Sequence, residues 1–473
     1  MRLSALAAFG FGLAVATFAL ASPPAPVASS SDKLVVHEWG TFTVLQDERG
    51  KPVGGINTDD EPVPHFVHDL HGMLLQRDSE MPPVYFKGWP RCDRDVYVRL
   101  ETPVIYFHLP QGSPPVKLDV DVSFNGGWLT QFYPDAKAAA PGLHDDHFEF
   151  GQLTEKTVGT LAWHDLTVGA PARMLPETED KVWLAPRHVD AADVTAPKGE
   201  SERFLFYRGV GHLRAPLTAS RDATGNKLLV RADWGELARH DPAFKVGPLW
   251  LLDVRADGTS AMRQIDPVAV GAIPENILAE IPATFAPADY SKDTLATIRK
   301  ELHAALMHDG LYSDEADSLL NTWEVSYFRR PGLRLFFMVP PVWTQHALPL
   351  KVSQSAYVSR AMVGRIEIVT PEQRALLKKI GQGPASNPDW VESALRSAGG
   401  GREDYYREDW YKKVMSGEKS LLDVKVAMPD DYRAYLGLGR FRNALILDEA
   451  DRQPTPALTA FIHNYELGAY KTR

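Results

Sequence analysis

Cysteine is almost missing from this chain: Cys92 is the only one in 473 residues. No intrachain disulfide can form, so the fold rests on its apolar core even in a compartment that permits disulfides. Basic runs are missing too. The 51 Lys and Arg stand against 61 Asp and Glu, a net charge of −10. An acidic chain without basic clusters argues against nucleic acid and against anionic membrane surfaces as partners. Several catalytic signatures are also absent. His37-Glu38 is followed by Trp39, Gly40 and Thr41, so the second histidine of an HExxH zinc helix is lacking. There is no GxSxG elbow and no GxxxxGK[ST] loop, and Gly209-Val210-Gly211 lacks the third glycine of a dinucleotide site. No internal repeat is evident. Cys92 lies among Arg91, Asp93 and Arg94, charges that favour a thiolate, but a lone cysteine is ordinarily inert.

What is present begins with an export signal. Met1 to Ala21 has Arg2 as its positive start, an uncharged run from Leu3 to Leu20, and the small-x-small pattern Ala19-Leu20-Ala21. Cleavage after Ala21 makes Ser22 the expected mature N-terminus and takes the net charge from −10 to −11 by removing Arg2. The rival reading is an uncleaved anchor, since the apolar run approaches spanning length. A Pro/Ala/Ser linker, residues 22–32, follows instead of a basic stop-transfer cluster. No cysteine adjoins the cleavage site, which excludes a lipoprotein anchor. The expectation is a periplasmic or extracellular protein with no stable membrane insertion after cleavage.

The remainder divides into three stretches. Residues 33–286 read as a β-rich domain. Val116, Leu118, Val120, Val122 and Phe124 alternate with polar residues, the period of a half-buried strand, and Asn125-Gly126-Gly127 suggests a hairpin into Trp128 to Tyr133. Leu249 to Ala256, Asp257-Gly258 and Thr259 to Ile265 repeat that plan. Residues 287–370 hold a helical hairpin and returning strands of the same core. Ser291 is a candidate cap for a helix with Leu295, Ile298, Leu302 and Leu306 on one stripe, Gly310 ends it, and a second helix starts at Ser313. Residues 371–473 are mainly helical. The fold class expected is therefore α+β, mainly antiparallel β in a sandwich or barrel-like arrangement, with a helical hairpin insertion and a helical C-terminal region.

The run His37-Glu38-Trp39-Gly40-Thr41-Phe42-Thr43 resembles the opening of a family of exported bacterial proteins. Similar blocks include Glu101 to Phe107, Trp128 to Pro134, Phe204 to Gly209, Gly310-Leu311-Tyr312, Thr322-Trp323, Val363-Gly364-Arg365 and Leu438 to Phe441. The resemblance spans most of the mature chain, least so around Gly400 to Lys419. It implies one integrated architecture and carries no established activity or catalytic residues.

Histidine crowding is the strongest chemical signal. His65, His68 and His71 recur at a spacing of three, with Asp69 beside them, and His144-Asp145-Asp146-His147-Phe148-Glu149 is a second cluster. Imidazoles at such spacing suit a divalent metal, and adjacent carboxylates fix their tautomers. With no thiolate set available, the ion expected is one that N/O ligands hold, Zn or Mn foremost. The ligand set expected is His37, His65, His68, His144 and His147, with Glu38 or Glu149 as general base for a metal-activated water. The bland account is that these are solvated loop histidines. In a regular strand His37 and Glu38 face opposite ways, so one of them at most points into a given site. Two alternatives stand beside a metal-assisted hydrolase acting on a small molecule or envelope polymer. One is a non-catalytic binding or structural protein of the envelope. The other is a glycan-active enzyme using paired carboxylates, with Glu38 and Glu101 beside Trp39 and Tyr106 as the candidates.

Overall fold

The computed structural model describes residues 33–57, 63–70, 85–86, 89–90, 93–141, 153–172, 174–232, 246–266, 277–389 and 429–468. Its centre is β1 (Leu34–Gln46), a strand rich in β-branched and aromatic residues that is buried almost throughout. A strand covered on both faces needs such a run. β1 pairs antiparallel with β2 (Val98–His108) on one edge. On the other it pairs in parallel with β13 (Ala356–Ile368), over three hundred residues away in the chain.

Between these lie β3 (Val116–Asn125), β4 (Gly127–Tyr133), β5 (Val158–Val168), β6 (Leu205–Gly211), β7 (Leu217–Arg221), β8 (Lys227–Ala232), β9 (Leu249–Val254), β10 (Ser260–Ile265), β11 (Ile277–Pro282) and β12 (Gly332–Met338). The main sheet runs β5-β4-β6-β2-β1-β13-β12-β9-β10, extended past β5 by two-residue strands. β7, β8 and β11 form a separate antiparallel sheet. Apart from β1–β13 and a single β4–β5 contact, the pairs named here are antiparallel. The β-rich α+β expectation holds, as an open, mixed architecture rather than a closed barrel.

The β9–β10 hairpin forms as the sequence reads, with Gly258 in the left-handed region at φ 80°. The β3–β4 hairpin does not. β3 pairs with β5, while β4 pairs with β6. The burial patterns give the reason. β3 alternates buried and exposed positions, whereas all of β4 is buried. β4 needs neighbours on both sides, and Asn125-Gly126 serves to move the chain from one pairing to another.

Two apolar clusters flank β1. The even positions Val36, Phe42 and Val44 join β3, β5 and the small sheet. The odd position Trp39, fully buried, joins Tyr106, Ala361, Val363 and the helical hairpin. After the short helix α1 (Lys181–Arg187), that hairpin is α2 (Thr294–His308) and α3 (Ser313–Thr322), followed by a π-helical turn over Glu324–Arg329 and, beyond β12, by α4 (Pro341–Ala347). Ile298, Leu302 and Leu306 are the buried stripe of α2, and Gly310 at φ 101° makes the turn. The cap falls at Asp293 rather than Ser291. A second helical group, α5 (Pro371–Gln382), α6 (Asp430–Gly437), α7 (Arg442–Arg452) and α8 (Pro456–Asn464), packs on Leu45 and Val369 near the far end of the same strands. Among the described residues no helix is long and apolar enough to cross a membrane.

Gly40 shows why the opening motif carries glycine. A Cβ there would lie 2.6 Å from Met362 Sδ and 3.1 Å from Pro103. β1 and β2 also slip register between Trp39 and Thr41. The glycine lets β2 and β13 close on the strand at that point.

Candidate metal centre

His37 stands on β1 and His108 at the end of β2, brought near each other by the pairing of Val35 with His108 and of His37 with Tyr106. Their ring centroids are 5.2 Å apart. Glu315 comes from the first turn of α3, where the helix hairpin lies over this end of the sheet. His37 Nδ1 lies 2.7 Å from Glu315 Oε2, and His108 Nε2 lies 2.9 Å from Glu315 Oε1. The backbone N–H of Tyr312 also donates to Oε2, at 2.7 Å. Glu315 thus fills the N3 place of a helix start, satisfying an amide that would otherwise be orphaned. The Tyr312 ring sets its edge against both imidazoles, at 4.6 and 4.8 Å.

The three donors are sealed unequally. The Glu315 and His37 side chains are 0% and 4% exposed and His108 is 13% exposed, so the centre meets solvent on the His108–Tyr312 side. Burial pushes the Glu315 carboxyl up, but hydrogen bonds from His108, His37 and the Tyr312 amide outweigh it and hold the group below its ordinary value. A buried, ionised carboxylate between two imidazoles is an electrostatic well for a cation.

Among the described residues, His37, His108 and Glu315 form a group whose ligand atoms all lie within 4.8 Å of one another, and this group could hold a metal ion. Two histidines and a carboxylate match the donor chemistry of open, catalytic zinc sites. As drawn the group is a hydrogen-bonded triad. Ligands at zinc distances sit roughly 3.4 Å apart around a tetrahedral ion, so the two imidazole–carboxylate contacts would have to widen by about half an ångström. They would also have to release their protons.

The other candidates are placed elsewhere. Glu38, adjacent to His37, points to the opposite face of β1. It is fully buried, accepts from Tyr207 Oη and is ion-paired with Arg360 Nε, both at 2.5 Å. With both oxygens taken and its face turned away, it is not a base for a water at His37. His65 is exposed beside Phe66. His68 pairs with Glu200 at 2.9 Å and stacks on Phe132 and Tyr133, while Asp69 accepts from Gln131. His71, His144, His147 and Glu149 lie outside the described residues, as do Cys92 and Met1 to Ala21, the segment expected to be a leader. Glu101 does not pair with Glu38. It lies 3.5 Å from both Arg99 and Arg440, toward the helical C-terminal group.

His108 and Glu315 escape sequence reading because neither belongs to a histidine cluster. The signals that bear on them are weak. His108 directly follows the Glu101 to Phe107 block, and Glu315 sits three residues past Gly310-Leu311-Tyr312, at the place of a capping glutamate. No protein-family model matches the chain, and no curated protein matches it.

Proposed function

We propose that this protein is an exported metalloprotein whose His37–His108–Glu315 centre binds one divalent cation, Zn²⁺ or Mn²⁺, and supports metal-assisted hydrolysis of a small molecule or envelope polymer. The observation that carries the reading is the convergence of two imidazoles and an ionised carboxylate from β1, β2 and α3 within 4.8 Å. Three protein ligands leave a coordination position for water, whose pKa a metal lowers towards 7. The exposed side at His108 and Tyr312 is the route by which that position would meet a substrate. The leader Met1 to Ala21 supports export, with the mature chain starting at Ser22.

The test uses tag-free protein recovered outside the cytoplasm, its start verified by intact mass. After reconstitution with Zn²⁺ and Mn²⁺, elemental analysis is expected to find one ion per chain. His37→Ala/His108→Ala should lose it, and His65→Ala/His68→Ala should keep it. Because ligation releases protons, retention should strengthen as pH rises. A parent that takes up neither ion, or a His37/His108 variant that keeps it, overturns the reading.

A second reading has its own observation. Both oxygens of Glu315 are already satisfied by His37, His108 and the Tyr312 amide. The triad is then a clasp that ties the helix hairpin to the sheet in a non-catalytic envelope protein. Loss of stability without any metal uptake selects it.

A further inference from the structure

The sheet reaches its rim beside the histidine centre. β1 starts at Leu34, β13 starts at Ala356 and β2 ends at His108. Val35 pairs with His108 on one side and with Tyr357 on the other. Residues directly opposite in paired strands share a face, and so do residues two apart in one strand. His108, Val35 and Tyr357 therefore form one row across three strands, on the face that carries His37. With strands about 4.8 Å apart, the row is about 10 Å long. The helix hairpin reaches the next row inward. A Cβ on Gly310, in the α2–α3 turn, would lie 2.8 Å from Ser359 Oγ, and Ser359 is the β13 partner of His37. Tyr312, two residues on, stands against both His37 and His108.

The outer row keeps its aromatic groups in solvent. Tyr357 is 57% and Tyr312 is 40% exposed, two of the few large apolar side chains so placed among the described residues. Val35 between them is half-buried. Neither phenol makes a hydrogen bond with a described residue. The phenols of Tyr106, Tyr207 and Tyr290, by contrast, donate to Pro186, Glu38 and Asp253. Lys33 Nζ lies 5.5 Å from the centre of the Tyr357 ring and steadies it. Arg360, three residues past Tyr357, is turned to the opposite face by its pair with Glu38. Exposed aromatic rings gathered at the mouth of a site, with their polar tips unspent, mark a contact surface.

We infer that this row is the substrate shelf of the His37–His108–Glu315 centre and takes a pyranose ring of a neutral glycan chain. The inference rests on the reading of that centre as a catalytic metal site, whose open position meets solvent on the same side. A sugar ring offers an apolar C–H face to an aromatic ring, and hydroxyls at its edge to a phenol. An anion calls for guanidiniums, and the row has none. An acyl chain calls for an enclosed apolar groove, whereas phenols and an imidazole interrupt this surface. The exposure of Tyr357 leaves the shelf open enough to admit a unit within a longer chain.

The experiment is calorimetric titration of the full mature protein, after Zn²⁺ reconstitution, with cellotetraose, maltotetraose and chitotetraose. Octanoate and inorganic phosphate are run in parallel, and metal content is measured on the same samples. Saturable binding of at least one of the sugars is expected. Tyr357→Ala should weaken it by about fivefold or more, while metal content and melting temperature stay as in the parent. Tyr312→Phe keeps the ring against the imidazoles and removes only the hydroxyl, so it should weaken binding by about threefold. Sugar binding by a parent that takes up no metal keeps the glycan surface and sinks the metal centre. Metal uptake without binding of any of the three sugars sinks the shelf and keeps the centre. Parent-like sugar affinity in Tyr357→Ala, or octanoate or phosphate binding more tightly than any sugar, overturns the glycan assignment. So does a change of oligomeric state in Tyr357→Ala, which would make the row a contact between copies of the chain.

Discussion

Glu38 and His37 are neighbours whose chemistry diverges because a strand sends alternate side chains to opposite faces. His37 meets Glu315, while Glu38 is sealed against Tyr207 and Arg360. The Tyr207 phenol is held protonated, since burial and the Glu38 carboxylate both push it up. Removing one member of a buried ion pair leaves the other charge uncompensated, at a cost of about 3–5 kcal/mol. Glu38→Ala should lower stability by that amount in chemical denaturation, and Glu38→Ala/Arg360→Met should recover part of it. An unchanged denaturation midpoint in Glu38→Ala would show that the pair contributes nothing. Gly40 follows the same logic of close approach, because Met362 and Pro103 leave no room for a side chain.

At the scale of elements, the helix hairpin is fixed to the sheet in two ways. One is apolar, through Ile298, Leu302, Leu306, Leu319 and Leu320 against Trp39 and its neighbours. The other is Glu315, which caps its own helix and accepts from both imidazoles. Glu315→Ala strips these buried donors of their acceptor, which costs about 1–3 kcal/mol. The loss should be local. Hydrogen exchange in 294–322 should accelerate while β1, β2 and β13 stay protected. Uniform acceleration across sheet and hairpin would mean that the two unfold as one unit.

Over the whole molecule, the C-terminal helices are joined to the end of β1 by charge as well as by apolar packing. Glu48, two residues past β1, is held 3.0 Å from Arg374 of α5 and 2.9 Å from Arg452 of α7. Burial would raise its carboxyl. The backbone hydrogen bond and those from Arg452 and Arg374 overcome that and draw it down to about 2. A carboxyl lowered on folding stabilises fully above its ordinary value of 4.5 and loses that contribution as pH falls toward 2. Glu48 is 30% exposed, so solvent screening limits each pair to about 1 kcal/mol. Stability should therefore fall between pH 4.5 and 2, and Glu48→Gln should flatten that part of the profile. Denaturant midpoints across this range measure it, and parallel profiles for the two proteins would count against the network.

Local patterns were enough for the secondary structure that local forces decide. Alternation marked β3, Asp257-Gly258 marked the β9–β10 turn, and the stripe ending at Gly310 marked α2. The single cysteine ruled out a disulfide before any fold was known. Tertiary structure alone decided what these elements meet. β3 and β4 looked like a hairpin because a turn sequence joins them, yet pairing depends on which neighbours bury each face, and β4 needed two. The histidine clusters looked like the metal site because sequence shows only nearness along the chain. His108 and Glu315 reach His37 across 71 and 278 residues, through strand pairing and the packing of α3. The contact of Glu101 with Arg440 likewise joins β2 to the approach to α7. Contacts between distant segments are chosen by the burial and pairing of the whole sheet, and no window of sequence contains that choice.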